Sequence, residues 1–396
     1  MRPGNDSGKH VDQIHANMKR INAGVIGVGF IGIAHVEALR RLNNVSVTAI
    51  SDVAAGLEVK AEHLSVQNYY DDYSKLIHDP EVDCVHICTP NHLHYTMARE
   101  ALMAGKHVVC EKPLTTKIDE AKDLVKLADE KGLVHAVNFN VRFYPLMHEL
   151  KSVIKNGQMG EIFSVHGSYL QDWLFYDTDY NWRLETALSG DSRAVADIGS
   201  HWMDLVEFVT GLRINEVMAD FATFHPVRKK PLKAVETYAG KMLTLSDYQE
   251  IPIATEDYAT ILLRFNNGGH GALIVSQVFA GKKNRITLEI AGSLKSASWV
   301  SENPNELWFG NRSSANESLL KDPSLMSPQG REIVSFPGGH NEGFPDTHKQ
   351  LFSRVYARIA DNNRPEDYPT FKAGLREMQL CDKIIESNLK NAWIKI

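Results

Sequence analysis

From Arg20 onward the chain alternates short apolar runs with amphipathic segments, and this rhythm restricts the fold more than any other feature. "INAGVIGV" reads as a buried strand, "HVEALRRL" as a helix, "VSVTAISD" as a second strand and "DCVHICTP" as a third. Apolar strands separated by helices build parallel sheets that are covered on both faces. "HLHYTMAREALMAG" sets Leu93, Met97 and Ala101 on one helical face and stops at Gly105. "HVVCEKP", a helix from about Ile118 to Lys131 and "LVHAVNF" complete the unit near Asn140. Residues 20–140 are therefore expected to form a doubly wound α/β sheet.

After Glu161 the rhythm changes. "EIFSVHGSYL", "EVMADFATF", "YATILLRF", "HGALIVSQVF", "RITLEIAG" and "SASWV" follow one another with turns such as "NNGG" between two of them. A large, mostly antiparallel open sheet is expected, closed by helices from Asp346 and after Thr370. A length of 396 residues suits two domains, here 20–140 and 141–396. Residues 1–19 are mostly polar and aperiodic, and read as a disordered or tag-like extension outside the fold.

The chain is 43% apolar and 23% charged, with a net charge of -6, and shows no basic stripe for nucleic acid or an anionic membrane. No window approaches the roughly 18 apolar residues of a membrane span, and no apolar signal core opens the sequence, so a cytoplasmic protein is expected. Cys84, Cys88, Cys110 and Cys381 are expected to be reduced and buried rather than paired or metal-bound.

"GVGFIG" falls between the first strand and its helix, where Gly27, Gly29 and Gly32 permit a tight turn and close approach of a pyrophosphate to the helix N-terminus. Phe30 and Ile31 of the same loop join the expected cofactor contacts. Asp52 ends the second strand, where a carboxylate accepts hydrogen bonds from ribose hydroxyls and repels a 2′-phosphate, favouring NAD over NADP. "CTPNHLH" ends the buried third strand, so Thr89, Pro90, Asn91 and His94 should border the cofactor crevice, whereas His86 reads as an interior histidine. In "CEKP", Glu111 and Lys112 also stand at a strand end; Lys112 is placed beside the nicotinamide, where a cation polarises a hydroxyl or carbonyl oxygen. Far along the chain, "AVADIGSHWMDLVEF" puts Asp197, His201 and Asp204 on one helical face among Ile198, Trp202, Leu205 and Val206.

These motifs, with "AREALMAGKHV" and "NFNVRFYP", resemble in order and spacing the glucose-fructose oxidoreductase and inositol dehydrogenase family (Gfo/Idh/MocA) over a little more than half the chain. The resemblance implies a Rossmann domain followed by an open-sheet domain whose face makes homodimer or homotetramer contacts. Its implied chemistry is oxidation of a secondary hydroxyl on a sugar or cyclitol. Lys112 matches the family's catalytic lysine, with a cis bond to Pro113. Asp197 and His201 match its Asp and His, and Arg142 an arginine near the nicotinamide. His201 is then the expected general base, Lys112 stabilises the substrate oxygen, and Asp197 orients the imidazole or binds a sugar hydroxyl. Asp204 stands outside that scheme, as a supporting or structural residue.

Between strand and helix lies "SYLQDWLFYDTDYNWRLETALSGDSR", expected to wall the substrate: Trp173 and Trp182 offer flat faces to C–H surfaces, while Tyr169, Gln171 and Arg183 hydrogen-bond hydroxyls. His340 and Glu342 are weaker candidates for the same cleft. The late segments resemble longer members acting on pyranoses and anhydrosugars, and without an Arg-Lys phosphate clamp a non-phosphorylated sugar is expected. Three alternatives stay open at this level: an NAD-retaining glycosidase, a non-catalytic NAD-sensing regulator, and a metal enzyme on Asp197, His201 and Asp204.

Overall fold

The computed structural model describes residues 20–232 and 247–396. A six-stranded parallel sheet is built from β1 (Ile21–Ile26), β2 (Val45–Ser51), β3 (Asn68–Tyr70), β4 (Cys84–Ile87), β5 (His107–Cys110) and β6 (His135–Val137). Their order, β3-β2-β1-β4-β5-β6, reverses direction beside β1. That switch opens a crevice at the carboxyl ends of β1 and β4, where doubly wound sheets bind ligands. Helices of ten residues or more are labelled α1 (Phe30–Arg40), α2 (His94–Met103), α3 (Ile118–Lys131), α4 (Pro145–Lys155), α5 (Ser200–Thr210), α6 (Phe344–Ala360) and α7 (Phe371–Lys390). α4, which the sequence reading passes over, buries Leu146, Met147, Leu150 and Val153.

The second sheet has nine strands in the order β16-β15-β14-β13-β7-β12-β11-β8-β17. They are β7 (Ile162–Leu170), β8 (Ile214–Ala222), β11 (Tyr258–Phe265), β12 (His270–Ser276), β13 (Arg285–Gly292), β14 (Ser296–Val300), β15 (Glu306–Gly310), β16 (Glu317–Leu320) and β17 (Ile394–Lys395). Every neighbouring pair is antiparallel except β7 and β12. A separate ribbon joins β9 (Val227–Pro231) to β10 (Tyr248–Pro252). On one face the sheet packs α4 and α5 through Ile261, Leu263, Leu273, Val275, Leu205 and Val206. Gly167 opens the sheet for Trp202: a Cβ there would lie 2.7 Å from the indole Nε1, which donates to the Thr287 carbonyl at 2.8 Å.

Chain order puts the last two long helices with the second sheet, but much of their apolar surface lies elsewhere. Leu351, Phe352, Val355 and Tyr356 of α6 pack with Val36 and Leu39 of α1, and Phe371 and Met378 of α7 pack with Leu114 and Leu124. Leu380 and Ile384 of α7 face the second core. α7 thereby bridges the two cores, whereas α6 packs onto the first.

Candidate active site

The nucleotide end is shaped by backbone. Gly27 has φ +87°, a left-handed conformation that favours glycine, and a Cβ at Gly32 would lie 1.9 Å from the Gly27 carbonyl oxygen. The loop and α1 can meet this closely only without side chains at both positions. Gly29 caps α1, donates no side chain to its free amides and faces open space, which fits the cradle a pyrophosphate needs. Asp52 accepts from the Val28 and Ala54 amides at 2.8 and 2.9 Å. Gly27, Gly29, Phe30, Ile31, Asp52, Thr89, Pro90, Asn91, Glu111 and Lys112 all line one cavity of about 1100 Å³.

The same cavity continues between the sheets to Tyr169, Gln171, Trp173, Trp182, Arg183, Asp197 and His201. A π-helical turn, Val195–Gly199, runs into α5 and carries Asp197 one turn before His201. Such turns recur at functional sites. Lys112 Nζ donates to both the Asp197 backbone oxygen and Oδ1, each at 2.7 Å, and the Lys112–Pro113 bond is cis. Arg183 Nε donates to Oδ1 at 3.3 Å and Gln277 Nε2 to Oδ2 at 2.8 Å. Asp197 is thus engaged by Lys112, Arg183 and Gln277, and its carboxylate holds the lysine. Burial alone would raise that carboxyl's pKa, but Lys112 and Arg183 overcome it and hold it well below the usual range.

His201 is buried, edge-on to Phe139 with ring centres 5.6 Å apart, and its Nδ1 has no hydrogen-bond partner. Burial, reinforced by the Lys112 charge, pushes its pKa down to about 3. The imidazole is consequently neutral at neutral pH. Across the cavity, Asn284 Oδ1 receives the Tyr169 hydroxyl at 2.7 Å and the Gln171 amide at 2.9 Å, and Trp173 donates to Gln171 at 2.8 Å. The Arg183 guanidinium stacks 4.4 Å from the Trp182 ring centre.

Three expected cofactor contacts stand outside the lining. Gly32 packs under the loop. His94 is fully buried, its ring nitrogens 2.8 Å from the Pro113 oxygen and 2.9 Å from that of Thr89, so it braces the loops after β4 and β5. Arg142 forks onto the Asp204 carboxylate, with Nε 2.6 Å from Oδ2. A guanidinium spent on that pair is not presented to the crevice, and Asp204 is likewise withdrawn from Asp197 and His201. Of the weaker pair, His340 is exposed, and Glu342 is buried against Lys321 at 3.0 Å.

Sequence reading missed Asn138, Asn140, Asn284, Phe344 and His348, which also line the cavity. Asn138 and Asn140 follow β6 at its carboxyl end, so the switch-point rule already applied to β4 and β5 reaches them. Asn284 sits in a turn with no local signal. Glu111 meets His35 Nε2 at 3.0 Å and also Asn138, while His35 Nδ1 lies 2.9 Å from His86 Nδ1, and His86 Nε2 lies 3.0 Å from the Tyr356 hydroxyl. His86 is thereby an interior histidine with partners. All four cysteines are buried and free, and among the described residues no helix is long and apolar enough to cross a membrane.

Residues 21–139 match the family described as "Oxidoreductase family, NAD-binding Rossmann fold", and residues 147–298 the "GFO/IDH/MocA C-terminal domain". Levoglucosan dehydrogenase of Pseudarthrobacter phenanthrenivorans is 29% identical over 96% of this chain and 99% of its own. Myo-inositol 2-dehydrogenase of Thermotoga maritima is 28% identical over 63% of this chain and 66% of its own. The solved complex of levoglucosan dehydrogenase with NADH and levoglucosan superposes with a TM-score of 0.85 at 28% identity, covering 96% of this chain and all of that one. With both halves matched in order, and the lysine, aspartate and histidine gathered in one cavity, the chain belongs to the GFO/IDH/MocA family of oxidoreductases and carries its NAD-binding Rossmann domain.

Proposed function

We propose that the protein oxidises a secondary ring hydroxyl of a non-phosphorylated sugar, anhydrosugar or cyclitol to a ketone, using NAD. The observation that carries this reading is that Lys112 and His201 share one cavity with the glycine loop and Asp52. Residues 20–140 supply the nucleotide site and residues 141–396 most of the sugar wall. NAD, when bound, supplies the hydride acceptor. Gly27, Gly29 and the α1 N-terminus would hold its pyrophosphate and Asp52 its adenosine ribose, which favours NAD over NADP.

His201 takes the hydroxyl proton, as its neutral imidazole allows. Lys112 donates a hydrogen bond to the same oxygen and stabilises the negative charge that develops there, while Asp197 fixes the ammonium in place. Tyr169, Gln171 and Asn284 offer hydrogen bonds to neighbouring hydroxyls, and Trp173 and Trp182 offer apolar faces to the ring. The cations at this end, Lys112, Arg183 and Lys283, each already have a carboxylate partner, which suits a neutral substrate better than a phosphorylated one. Leu262, Ile274 and Trp308 point outward from the nine-stranded sheet and support a homodimer or homotetramer through that face. A cytoplasmic location completes the reading.

The test is a panel of free sugars, inositols and anhydrosugars assayed for NADH and NADPH formation, with His201→Ala alongside. Turnover with at least one neutral substrate, faster with NAD and lowered about 10²- to 10⁴-fold in the variant, is expected. Glycoside cleavage without net NADH formation overturns the dehydrogenase reading.

A further inference from the structure

Behind Asp197 lies a row of buried charges that the chemistry above does not use. Gln277, at the end of β12, is fully buried and bridges two partners: Nε2 donates to Asp197 Oδ2 at 2.8 Å, and Oε1 accepts from Arg193 Nη1 at 3.2 Å. Its backbone amide donates to the Asp257 carbonyl at 3.1 Å. Arg193 pairs with the Asp257 carboxylate, which also receives Arg228 Nη2 at 2.9 Å. Arg228, though fully buried, donates to three backbone oxygens of the expected substrate loop: Leu174 at 2.9 Å, Tyr176 at 2.8 Å and Asp179 at 3.2 Å.

Burying three charged side chains is costly unless each is paired, and here both guanidinium groups share the Asp257 carboxylate, Arg228 Nε alone lacking a partner, so this set favours one arrangement. Glu256 reinforces it, accepting from the Arg193 and Val195 amides at 3.0 and 2.9 Å and so fixing the start of the turn that bears Asp197. A carboxylate with two oxygens can rotate. Gln277 removes that freedom by taking Oδ2, which leaves Oδ1 to Lys112 and Arg183.

We propose that Gln277 is a positioning residue: it ties Asp197, and through it Lys112, to the Arg193–Asp257–Arg228 strut that also carries the backbone of the substrate loop. The sugar wall and the lysine are then set by one rigid body. This rests on the reading of Lys112 as the group that meets the substrate oxygen, and its test is chosen to stand apart from that reading.

The measurement is the rate at which acetic anhydride labels Lys112 in the full-length protein, followed by mass spectrometry, with exposed Lys126 as the internal reference. In Gln277→Met, which keeps the length and removes both side-chain bonds, Asp197 no longer holds the Lys112 ammonium in one place, and local opening lets the reagent label it about tenfold faster. Turnover falls while NADH affinity, read by fluorescence, stays within about twofold. Should Gln277→Met fail to fold, Gln277→Glu keeps the shape, replaces the donor to Asp197 Oδ2 by a carboxylate oxygen and speeds the labelling of Lys112 in the same assay. Unchanged Lys112 labelling in a folded variant overturns the proposal. Faster labelling in a protein that oxidises no sugar upholds it and removes the dehydrogenase reading instead.

Discussion

Two carboxylates seven residues apart on one helical run meet two cations from the other sheet's loops, and the pairs do different things. Asp197 meets Lys112 after β5, and Asp204 meets Arg142 just after β6. Asp204 is buried and Asp197 half-buried, and both partners reach across the junction. The first pair lines the cavity; the second is packed against Phe208, whose ring centre lies 5.1 Å from the Arg142 guanidinium. Access to the cavity, rather than residue type or helical spacing, separates the pair open to a ligand from the closed one.

The largest effect that sharpens this contrast is on turnover. Lys112→Ala is expected to lower kcat by about 10³-fold, because the charge developing on the substrate oxygen loses its donor in a water-poor site. Its urea midpoint should move little, since the released Asp197 keeps Arg183 and Gln277 as partners. Steady-state rates on the best substrate of the panel, with urea unfolding on the same samples, check both halves. A kcat within tenfold of the parent removes Lys112 from the chemistry.

The reverse pattern is expected at the other pair. Asp204→Asn leaves the Arg142 guanidinium buried without its counter-charge, which costs about 3–5 kcal/mol of stability. Arg142 is held charged in the parent because Asp204 outweighs the penalty of burial. Turnover at 25 °C should stay within about threefold, as neither residue lines the cavity. Denaturant titration measures the first quantity and initial rates the second. A strong fall in kcat with unchanged stability would place Arg142 in the cleft after all.

That outcome also bears on what could be read from the chain. Gly27, Gly32 and Asp52 were legible because their roles are local: a strand, a turn with positive φ and a helix start lie within a few residues. Lys112 was legible from its strand end, but its meeting with His201 only through a motif resemblance, since nothing between residues 112 and 201 states that they meet. Arg142 misleads for the same reason. It lies in a short 3₁₀ turn, Asn140–Phe143, and only the tertiary placement of Asp204 decides which way its fork is used. Glu342 is similar, its partner Lys321 lying in a connection with no regular pattern. Asn284, which organises Tyr169 and Gln171, has no local signature at all.

The smallest effect extends the comparison to the two histidines beside these pairs. His201 in the cavity and His148 near Arg142 both have their pKa pushed down to about 3, first by burial and then by nearby cations: Lys112 for the former; Lys151, Arg354 and Arg142 for the latter. A histidine depressed in the folded state contributes stability that is full above its unfolded value near 6.5 and is lost as pH falls toward about 3. Stability should therefore decline between pH 6.5 and 4.5, where the unfolded chain binds more protons than the folded one. His148→Gln keeps a polar side chain with no titration in this range and should flatten the decline by about 2 kcal/mol at pH 4.5, leaving the neutral-pH turnover in place. Urea midpoints of both proteins at the two pH values measure it. Parallel declines would mean that His148 is protonated in the folded state, so that the region around Arg142 and Asp204 admits a further charge and is not sealed.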